Sequence, residues 1–341
     1  MKRILKKMVA MALMLSISAL TISGCGIQSA GESTGQDEVI RFKMAMVDNE
    51  STPYAKGARK IAEEVYEATD GRIQIEVVAG GTLGGERDTV ELAMLGSLDI
   101  VTCANSVLTN WIPEMSILDQ AFLFENEQQA HAAVDGKVGE LINREAEKLN
   151  LHVVGYMESG FRNVFSTKPI TSPEDFKGVK IRTMQNQFHM AAFESFGAMP
   201  TSMASGEQFT ALQQGAIDAC ENAVSNCLTN GFYEVTKNIT YSNHAFVYIL
   251  VCMSDHAWEQ IPEDLRDDFV EGVRRGYEAE REFLKEANEA AAIELKEKGV
   301  AFHEIDNTAL QAAYKQEAQK KGFVFDPEWQ AAIDQVIEAN R

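Results

Sequence analysis

GFRNVFSTKPITSPEDFKGVKIR, residues 160–182, sets two arginines at the ends of two short extended segments in an otherwise acidic chain. Residues 161–167 alternate and carry aromatic and β-branched side chains, which predicts a strand, and residues 179–182 predict a second. Ser-Pro and Lys-Gly pairs between them indicate a turn with a short helix. Arg162 and Arg182 are therefore expected at strand ends, where the strands are followed by loops that could border a cleft.

The half of the chain before this stretch alternates strands and helices. The predicted strands lie at residues 39–46, 73–78, 98–103 and 151–156. Three helices are predicted between them. The first begins at Pro53, the second begins at Glu86 after a glycine-rich loop, and the third spans 127–149. This βαβ order makes a parallel sheet the first expectation.

Downstream, a short strand at 217–220 delivers Asn222 to the carboxyl edge of a parallel sheet, where ligands bind in open α/β folds. An uninterrupted apolar run at 245–253 predicts a strand that two domains share or that crosses between them. Residues 262–299 predict one helix of about 50 Å at 1.5 Å per residue, longer than a small domain. The remaining predicted strands are 199–203 and 300–305, and the remaining helices are 186–196, 206–214 and two C-terminal segments.

The N-terminus has the pattern of an exported protein. A basic start and an apolar run at 8–22 fit a secretory signal over 1–24, too short to span a bilayer. The Ile-Ser-Gly-Cys sequence resembles a bacterial lipobox, which implies cleavage before Cys25 and a lipid on its sulfur; the alternative is a plain secretion signal with a chance cysteine. Residues 25–38 predict a flexible tether.

Charge and motif content exclude several classes of function. The chain of 341 residues is 45% apolar, enough for two cores, and its formal charge of −20 becomes −24 once the signal with its four basic residues is removed. Such a surface argues against nucleic acid and anionic lipid as partners. No nucleotide loop or histidine pattern for zinc is present, and the one GxSxG match, GESTG at residues 31–35, lies in the predicted tether rather than at a strand-to-helix turn, so no cofactor, no metal and no enzyme activity are expected. The cysteines after the signal are expected to be buried free thiols: Cys103, Cys220, Cys227 and Cys252.

Each arginine alone is more simply explained as half of a surface ion pair. The convergence of Arg162, Arg182 and Asn222 at strand ends in one half of the chain shifts the balance toward a binding site. A guanidinium offers paired donors that match a carboxylate, and an asparagine amide adds another donor.

Three stretches resemble the solute-binding proteins of tripartite ATP-independent periplasmic (TRAP) transporters, the DctP-like family: residues 160–184, 196–222 (FGAMPTSMASGEQFTALQQGAIDACEN) and 232–246 (FYEVTKNITYSNHAF). The resemblance extends from Val39 to the C-terminus. It implies that Arg182 pairs with the substrate carboxylate, that Arg162 assists, and that Asn222 adds a contact. The other candidate ligand-binding residues are Glu86, Gln185, Asn186, His189 and Glu207.

The resemblance also implies an α/β fold of the periplasmic-binding-protein type, with two lobes, hinge strands and a long helix along both. The expected first lobe is 39–159 with 248–287, and the second is 160–247 with 288–341. The expected function is extracytoplasmic capture of a small organic acid and its delivery to integral membrane permease subunits. Two further readings remain: an enzyme that uses the same cleft, and a binding lipoprotein of a different importer type.

Two departures from the family pattern bear on the ligand. Ser205 and Gly206 stand where the family commonly has a bulky residue followed by Ser, which leaves room for a larger or more polar ligand. Ala223 replaces the proline that stiffens the loop after Asn222. A sugar acid, such as a hexuronate or aldonate, is therefore favoured over a C4-dicarboxylate or keto acid.

Overall fold

The computed structural model describes residues 39–341, whose strands form two sheets. The strands are β1 Ile40–Ala45, β2 Ile73–Val78, β3 Ile100–Ala104, β4 Leu151–Phe161, β5 Asn163–Ser166, β6 Lys180–Thr183, β7 Met199–Ser202, β8 Ala219–Asn222, β9 Asn238–Tyr241, β10 Phe246–Ser254 and β11 Ala301–Glu304. The first sheet has the order β2-β1-β3-β10-β4, and the second has the order β11-β9-β5-β8-β6-β7.

The helices pack around both sheets. They are α1 Pro53–Ala68, α2 Glu86–Met94, α3 Asn105–Leu108, α4 Glu127–Val134, α5 Lys137–Glu147, α6 Gln187–Ser195, α7 Gln208–Gln213, α8 Val224–Thr229, α9 Asp255–Trp258, α10 Glu263–Glu297, α11 Thr308–Lys320 and α12 Pro327–Ala339. Short 3₁₀ helices lie at Pro113–Asp119, Pro173–Phe176, Ser205–Glu207 and Phe232–Glu234. The predicted mixed α/β fold with a long helix is confirmed.

Both sheets are mixed, so the expectation of a parallel sheet is only partly met. β1 pairs in parallel with β2 and β3, as the βαβ order predicts. The apolar run at 245–253 becomes β10, which inserts between β3 and β4 and pairs antiparallel with both. Every residue of β10 is buried, which explains why the run carries no polar alternation. In the second sheet β6 is parallel to β7 and β8, while β5 is antiparallel to β8 and β9.

The predicted single helix at 127–149 is wrong, because the chain forms α4 and α5 with a break at Asp135 and Gly136. A Cβ on Gly136 would lie 2.9 Å from the Ala132 carbonyl oxygen, so the break relies on glycine there. Asp135 accepts two hydrogen bonds from the Arg281 guanidinium, at 2.7 and 2.8 Å. The break therefore places an acid where it ties the end of α4 to α10.

The long helix α10 contributes to both hydrophobic cores. Phe269, Val273 and Leu284 pack with α1 and the first sheet. Ala291 and Leu295, farther along, pack in a core with strands of the second sheet. At 35 residues the helix is about 52 Å long, the length that the sequence predicted.

The last helix, α12, packs on the first sheet. Trp329, Ala332 and Ile333 belong to the same core as β3, β4 and β10. The proposed lobe boundaries remain a prediction, and this packing is a physical reason to move Pro327–Ala339 from the second lobe to the first.

The four cysteines of the described residues are buried free thiols. Across residues 39–341, no helix combines the length and apolarity that crossing a membrane requires.

Helices α1 and α10 approach closely because glycines line their contact. A Cβ on Gly272 would lie 2.7 Å from the Cα of Val65, and one on Gly276 would lie 2.4 Å from the Cα of Ile61. These are backbone atoms, which cannot rotate out of the way. The two helix axes would have to separate to admit any side chain.

We therefore expect Gly276→Ala to lower the free energy of unfolding by roughly 1–3 kcal/mol, despite the better helix propensity of alanine. Urea unfolding measures the change. The matched control is Gly206→Ala, because nothing lies within 4 Å of a Cβ built on Gly206. Equal stability of the two variants would contradict the close contact.

Candidate ligand-binding site

The predicted trio of polar residues converges at one edge of the second sheet. Arg162 stands between β4 and β5, Arg182 lies in β6, and Asn222 ends β8. The register pairs Asn163 with Asn222 and Ile181 with Ala219, so all three neighbouring strands meet at this edge. Arg162 and Arg182 are 3% and 4% exposed. The explanation of either arginine as half of a surface ion pair is therefore wrong.

Arg162 is fully occupied by protein groups. Its Nε and Nη2 donate to the two carboxylate oxygens of Glu221, and Nη2 also donates to the Glu221 main-chain oxygen at 2.6 Å. Its Nη1 donates to Ser159 Oγ at 3.2 Å and to Asn222 Oδ1 at 3.0 Å. These five bonds use the five N–H donors of the guanidinium. Arg162 thus organises the site and keeps no free donor for a ligand.

Glu221 neutralises Arg162 in the interior. Burial opposes the ionisation of Glu221, but the Arg162 guanidinium and His244 outweigh it and hold the pKa of the carboxyl well below its usual range. Nε2 of His244 lies 3.4 Å from Glu221 Oε2, and burial lowers the pKa of that imidazole. Glu221 was not among the candidate residues from the sequence, because a buried partner of an arginine has no sequence signature.

Arg182 is held at one edge only. Its Nε and Nη2 donate to the Met203 carbonyl oxygen at 3.1 and 2.8 Å. Its Nη1 is 3.9 Å from Glu221 Oε1 and donates no hydrogen bond to any of residues 39–341. Burial lowers the pKa of Arg182, and the charge of Arg162 adds to that effect while Glu221 opposes it. Arg182 is therefore a buried cation with donors left for an anion.

Asn222 presents its amide nitrogen to the same place. Its Oδ1 accepts from Ser159 Oγ, Arg162 Nη1, Asn226 Nδ2 and the Ala223 main-chain nitrogen. Four donors around one atom identify it as the oxygen. Nδ2 is then the other terminal atom, and within the described chain it donates to nothing. It is an oriented donor beside Arg182.

Two cavities adjoin these donors. The larger measures about 170 Å³ and the smaller about 40 Å³. Residues lining both are Val47, Glu86, Arg182, Met184 and Ser205. Gln185 and Gly206 line the larger one, so the wall where the sequence lacks a bulky residue is open here. Arg162, Asn222 and Ser159 line the smaller one.

Two acids, Asp48 and Glu86, line the smaller cavity beside the two arginines. Glu86 begins α2, and its Oε1 accepts from the Ala104 main-chain nitrogen at 2.9 Å; burial raises the pKa of its carboxyl. Asp48 lines the same cavity and escaped the sequence analysis. The sequence did contain a signal for Asp48, because this residue follows the carboxyl end of the parallel strand β1. The same rule led to Asn222.

Three other sequence candidates are engaged elsewhere. Asn186 caps α6 and donates to Asp119 Oδ2 at 2.7 Å, and His189 Nε2 is 3.5 Å from Asp119 Oδ1. Glu207 Oε2 accepts from the Ala204 main-chain nitrogen at 2.9 Å and caps its 3₁₀ turn. None of these three side chains lines either cavity. The structure thus brings Arg162, Arg182, Asn222, Glu86 and Gln185 together and leaves the other three apart.

Comparison with known proteins identifies the family. The model of the bacterial extracellular solute-binding proteins of family 7, DctP, matches residues 44–322. The chain belongs to this family. A solute-binding protein of Verminephrobacter eiseniae is 33% identical over 247 residues, which are 72% of this chain and 73% of that protein. The resemblance to DctP-like TRAP proteins drawn from the motifs is confirmed.

Two further relatives bear on the ligand. A TRAP periplasmic solute-binding protein from Xanthobacter autotrophicus Py2, solved with bound β-D-galacturonate, has a TM-score of 0.82 at 27% identity, over 87% of this chain and 99% of that one. The C4-dicarboxylate-binding periplasmic protein DctP of Rhodobacter capsulatus is 27% identical, over 79% of this chain and 81% of that protein. The fold of this chain is that of TRAP solute-binding proteins.

The buried pair of Arg162 and Glu221 generates a stability prediction. Glu221→Gln leaves the Arg162 charge buried without its counter-ion, so we expect a loss of roughly 3–5 kcal/mol in the free energy of unfolding. Urea unfolding at pH 7 measures it.

The control is Glu278→Gln, which removes a carboxylate from the exposed pair with Arg274. Exposed pairs contribute about 0–1 kcal/mol, so that variant should unfold almost like the wild type. A Glu221→Gln variant as stable as the control would show that the interior pair does not determine the fold.

Proposed function

We propose that the protein captures a small organic acid outside the cytoplasm and delivers it to the membrane permease of a TRAP transporter. The observation that carries the proposal is the free edge of Arg182, a buried guanidinium at two cavities whose Nη1 donates no hydrogen bond within residues 39–341. A carboxylate placed there receives charge-assisted hydrogen bonds, each contributing about 1.5–3 kcal/mol. Nδ2 of Asn222 supplies another donor.

Arg162 supports binding indirectly under this proposal. Its five hydrogen bonds fix Glu221, Ser159 and Asn222, so the free donor of Asn222 is already oriented before the ligand arrives. A donor that needs no reorganisation loses less conformational entropy on binding. The role of Arg182 as main contact and of Arg162 as support agrees with what the family resemblance implied.

A sugar acid, such as a hexuronate or aldonate, is the ligand class we favour. The wall at Ser205 and Gly206 is open, and Gln185, Glu86 and Asp48 add polar groups around the two cavities. The galacturonate complex of the Xanthobacter relative supports the same class. The alternative, a C4-dicarboxylate or keto acid, is supported by the name of the Rhodobacter relative. A thermal-shift screen across these acids separates the classes.

Ligand capture is proposed to involve the two lobes moving about the connections between the sheets. Those connections are Phe161 to Asn163 and Tyr241 to Phe246, with α10 running along both cores.

We also propose that the protein binds its ligand without converting it. Mass spectrometry of a ligand released from the protein after prolonged incubation should recover it unmodified, and a converted product would favour an enzyme instead. Genes for two integral membrane subunits beside this one fit the TRAP assignment, whereas an adjacent ATPase gene favours another importer type.

The donor geometry predicts that Arg182→Lys weakens binding about 10- to 100-fold, because the ligand loses one charge-assisted hydrogen bond. Lysine keeps the charge but cannot present paired donors. Isothermal titration with the best ligand of the screen gives the dissociation constant. The apo protein should unfold within about 1 kcal/mol of the wild type, since a lysine can still donate to the Met203 carbonyl.

Arg274→Lys is the control, because Arg274 is half-buried on α10, pairs with Glu271 and lines neither cavity. Its dissociation constant should match that of the wild type. An unchanged dissociation constant for Arg182→Lys would overturn the proposed carboxylate contact.

Anchoring through a lipid on Cys25 is a separate proposal, and Cys25 lies outside the described residues. Cys25→Ser should move the protein from the membrane fraction to the soluble extracytoplasmic fraction of a bacterial host. Mass spectrometry of the mature wild-type N-terminus should find a diacylglyceryl cysteine. A soluble wild type with an unmodified N-terminus would instead establish plain secretion.

A further inference from the structure

Two acids and two arginines line the smaller cavity: Asp48, Glu86, Arg162 and Arg182. Asp48 and Glu86 come from the first-sheet side, and both line the smaller cavity. Arg182 lines the same cavity, is 4% exposed, and has an Nη1 with no hydrogen-bond partner in the described chain. The buried cation aimed into the cavity marks it as a place for an anion. The two acids line the same small cavity as this cation, so a ligand group held by Arg182 lies near them.

Of the two arginines at the smaller cavity, Arg182 keeps a free donor, because its Nη1 lies 3.9 Å from Glu221 Oε1 without a hydrogen bond to it. Arg162 is paired with Glu221 through three hydrogen bonds. At the larger cavity, Arg87 lies over the Trp111 ring at 5.1 Å, with its Nε 3.4 Å from Glu91. At the smaller cavity one ligand carboxylate therefore finds the free edge of Arg182, and a second carboxylate near Asp48 and Glu86 would meet two acids instead.

The carboxyl groups of Glu86 and Asp48 receive few hydrogen bonds from residues 39–341 of the protein. Oε1 of Glu86 accepts from the Ala104 main-chain nitrogen, and Asp48 is fixed through its main-chain oxygen, which accepts from the Gly80 nitrogen at 2.7 Å. No side chain of the described residues donates to the Asp48 carboxyl. Carboxylate oxygens of this kind accept hydrogen bonds from hydroxyl groups.

We propose, on the basis of the proposed function, that Asp48 and Glu86 restrict the ligand to acids with a single carboxylate. They accept hydrogen bonds from ligand hydroxyls and repel a second carboxylate. The wall thereby separates aldonates and uronates from aldarates and C4-dicarboxylates. Like charges a few Å apart at a protein-like dielectric change an affinity on the order of 100-fold.

The test compares galactonate with galactarate by isothermal titration, because the two linear acids differ only in a terminal CH₂OH or carboxylate. Galacturonate is included as the ring form, and the tighter of the two monocarboxylates is the reference. At pH 8 we expect the wild type to bind galactarate about 100-fold more weakly than the reference. Asp48→Asn should reduce that ratio at least tenfold, chiefly by tightening galactarate.

Asp268→Asn is the matched control. It makes the same change of charge at an exposed position of α10. Its ratio of affinities should equal that of the wild type, which separates a local effect of Asp48 from an effect of net charge.

A second readout uses the titration of Asp48. Burial and then Glu86 raise the pKa of its carboxyl to about 7, with Arg162 acting in the opposite direction. Tyr54 and Glu280 also face this group, and both have raised pKa values to which Asp48 contributes. Asp48 is therefore mostly protonated at pH 6 and ionised at pH 8. Galactarate stays a dianion at both, since free carboxyl groups titrate near pH 3–4.

The wild type should consequently reject galactarate less strongly at pH 6 than at pH 8, and Asp48→Asn should lose most of this dependence. Equal binding of galactarate and the reference by the wild type at pH 8 would overturn the inference and leave the proposed function standing. Tighter binding of an amino-substituted acid such as galactosaminuronate would overturn it too, by assigning the acids to an ammonium group. If no monocarboxylate sugar acid binds the wild type, the proposed function is wrong and the inference falls with it.

Discussion

The buried ion pair between Arg162 and Glu221 is the interaction on which the site depends. Removing two charges from water costs several kcal/mol per ion, and a buried pair rarely stabilises a fold as much as apolar packing does. Its contribution here is geometric. Glu221 occupies three of the donors of Arg162, the remaining two orient Ser159 and Asn222, and Arg182 is left as the buried cation with a free edge.

The sequence predicted the central trio because its signal is topological. Polar residues at the ends of adjacent strands meet at one edge of a sheet whatever the details of packing, and Arg162, Arg182 and Asn222 satisfied that rule. The same reasoning applied to β1 would have found Asp48. Strand and helix positions followed equally well wherever periodicity was strong, as in α1, β2 and α10.

Prediction failed where a local and a tertiary role compete for one side chain. Asn186 follows Arg182 closely, yet its side-chain Oδ1 caps α6 by accepting from the Phe188 main-chain nitrogen, and its Nδ2 donates to the buried Asp119. Glu207 is likewise a cap. A residue a few positions from an arginine at the cavity can face the opposite way, because a helix start turns the chain. The break between α4 and α5 was missed because Asp135 finds its partner, Arg281, far along the sequence.

The long helix connects the packing of the first core to the binding site. Glu280 of α10 packs against Gly57 of α1, and its Oε2 accepts from the Glu158 main-chain nitrogen at 2.9 Å. Burial, followed by Glu158, holds the pKa of Glu280 well above its usual range, which favours the neutral form that such a dry position requires. Ser159, the next residue of β4, contacts both Arg162 and Asn222. The position of α10 therefore fixes the strand that orients Arg162 and Asn222 at the cavity, and any motion of α10 against β4 must alter them.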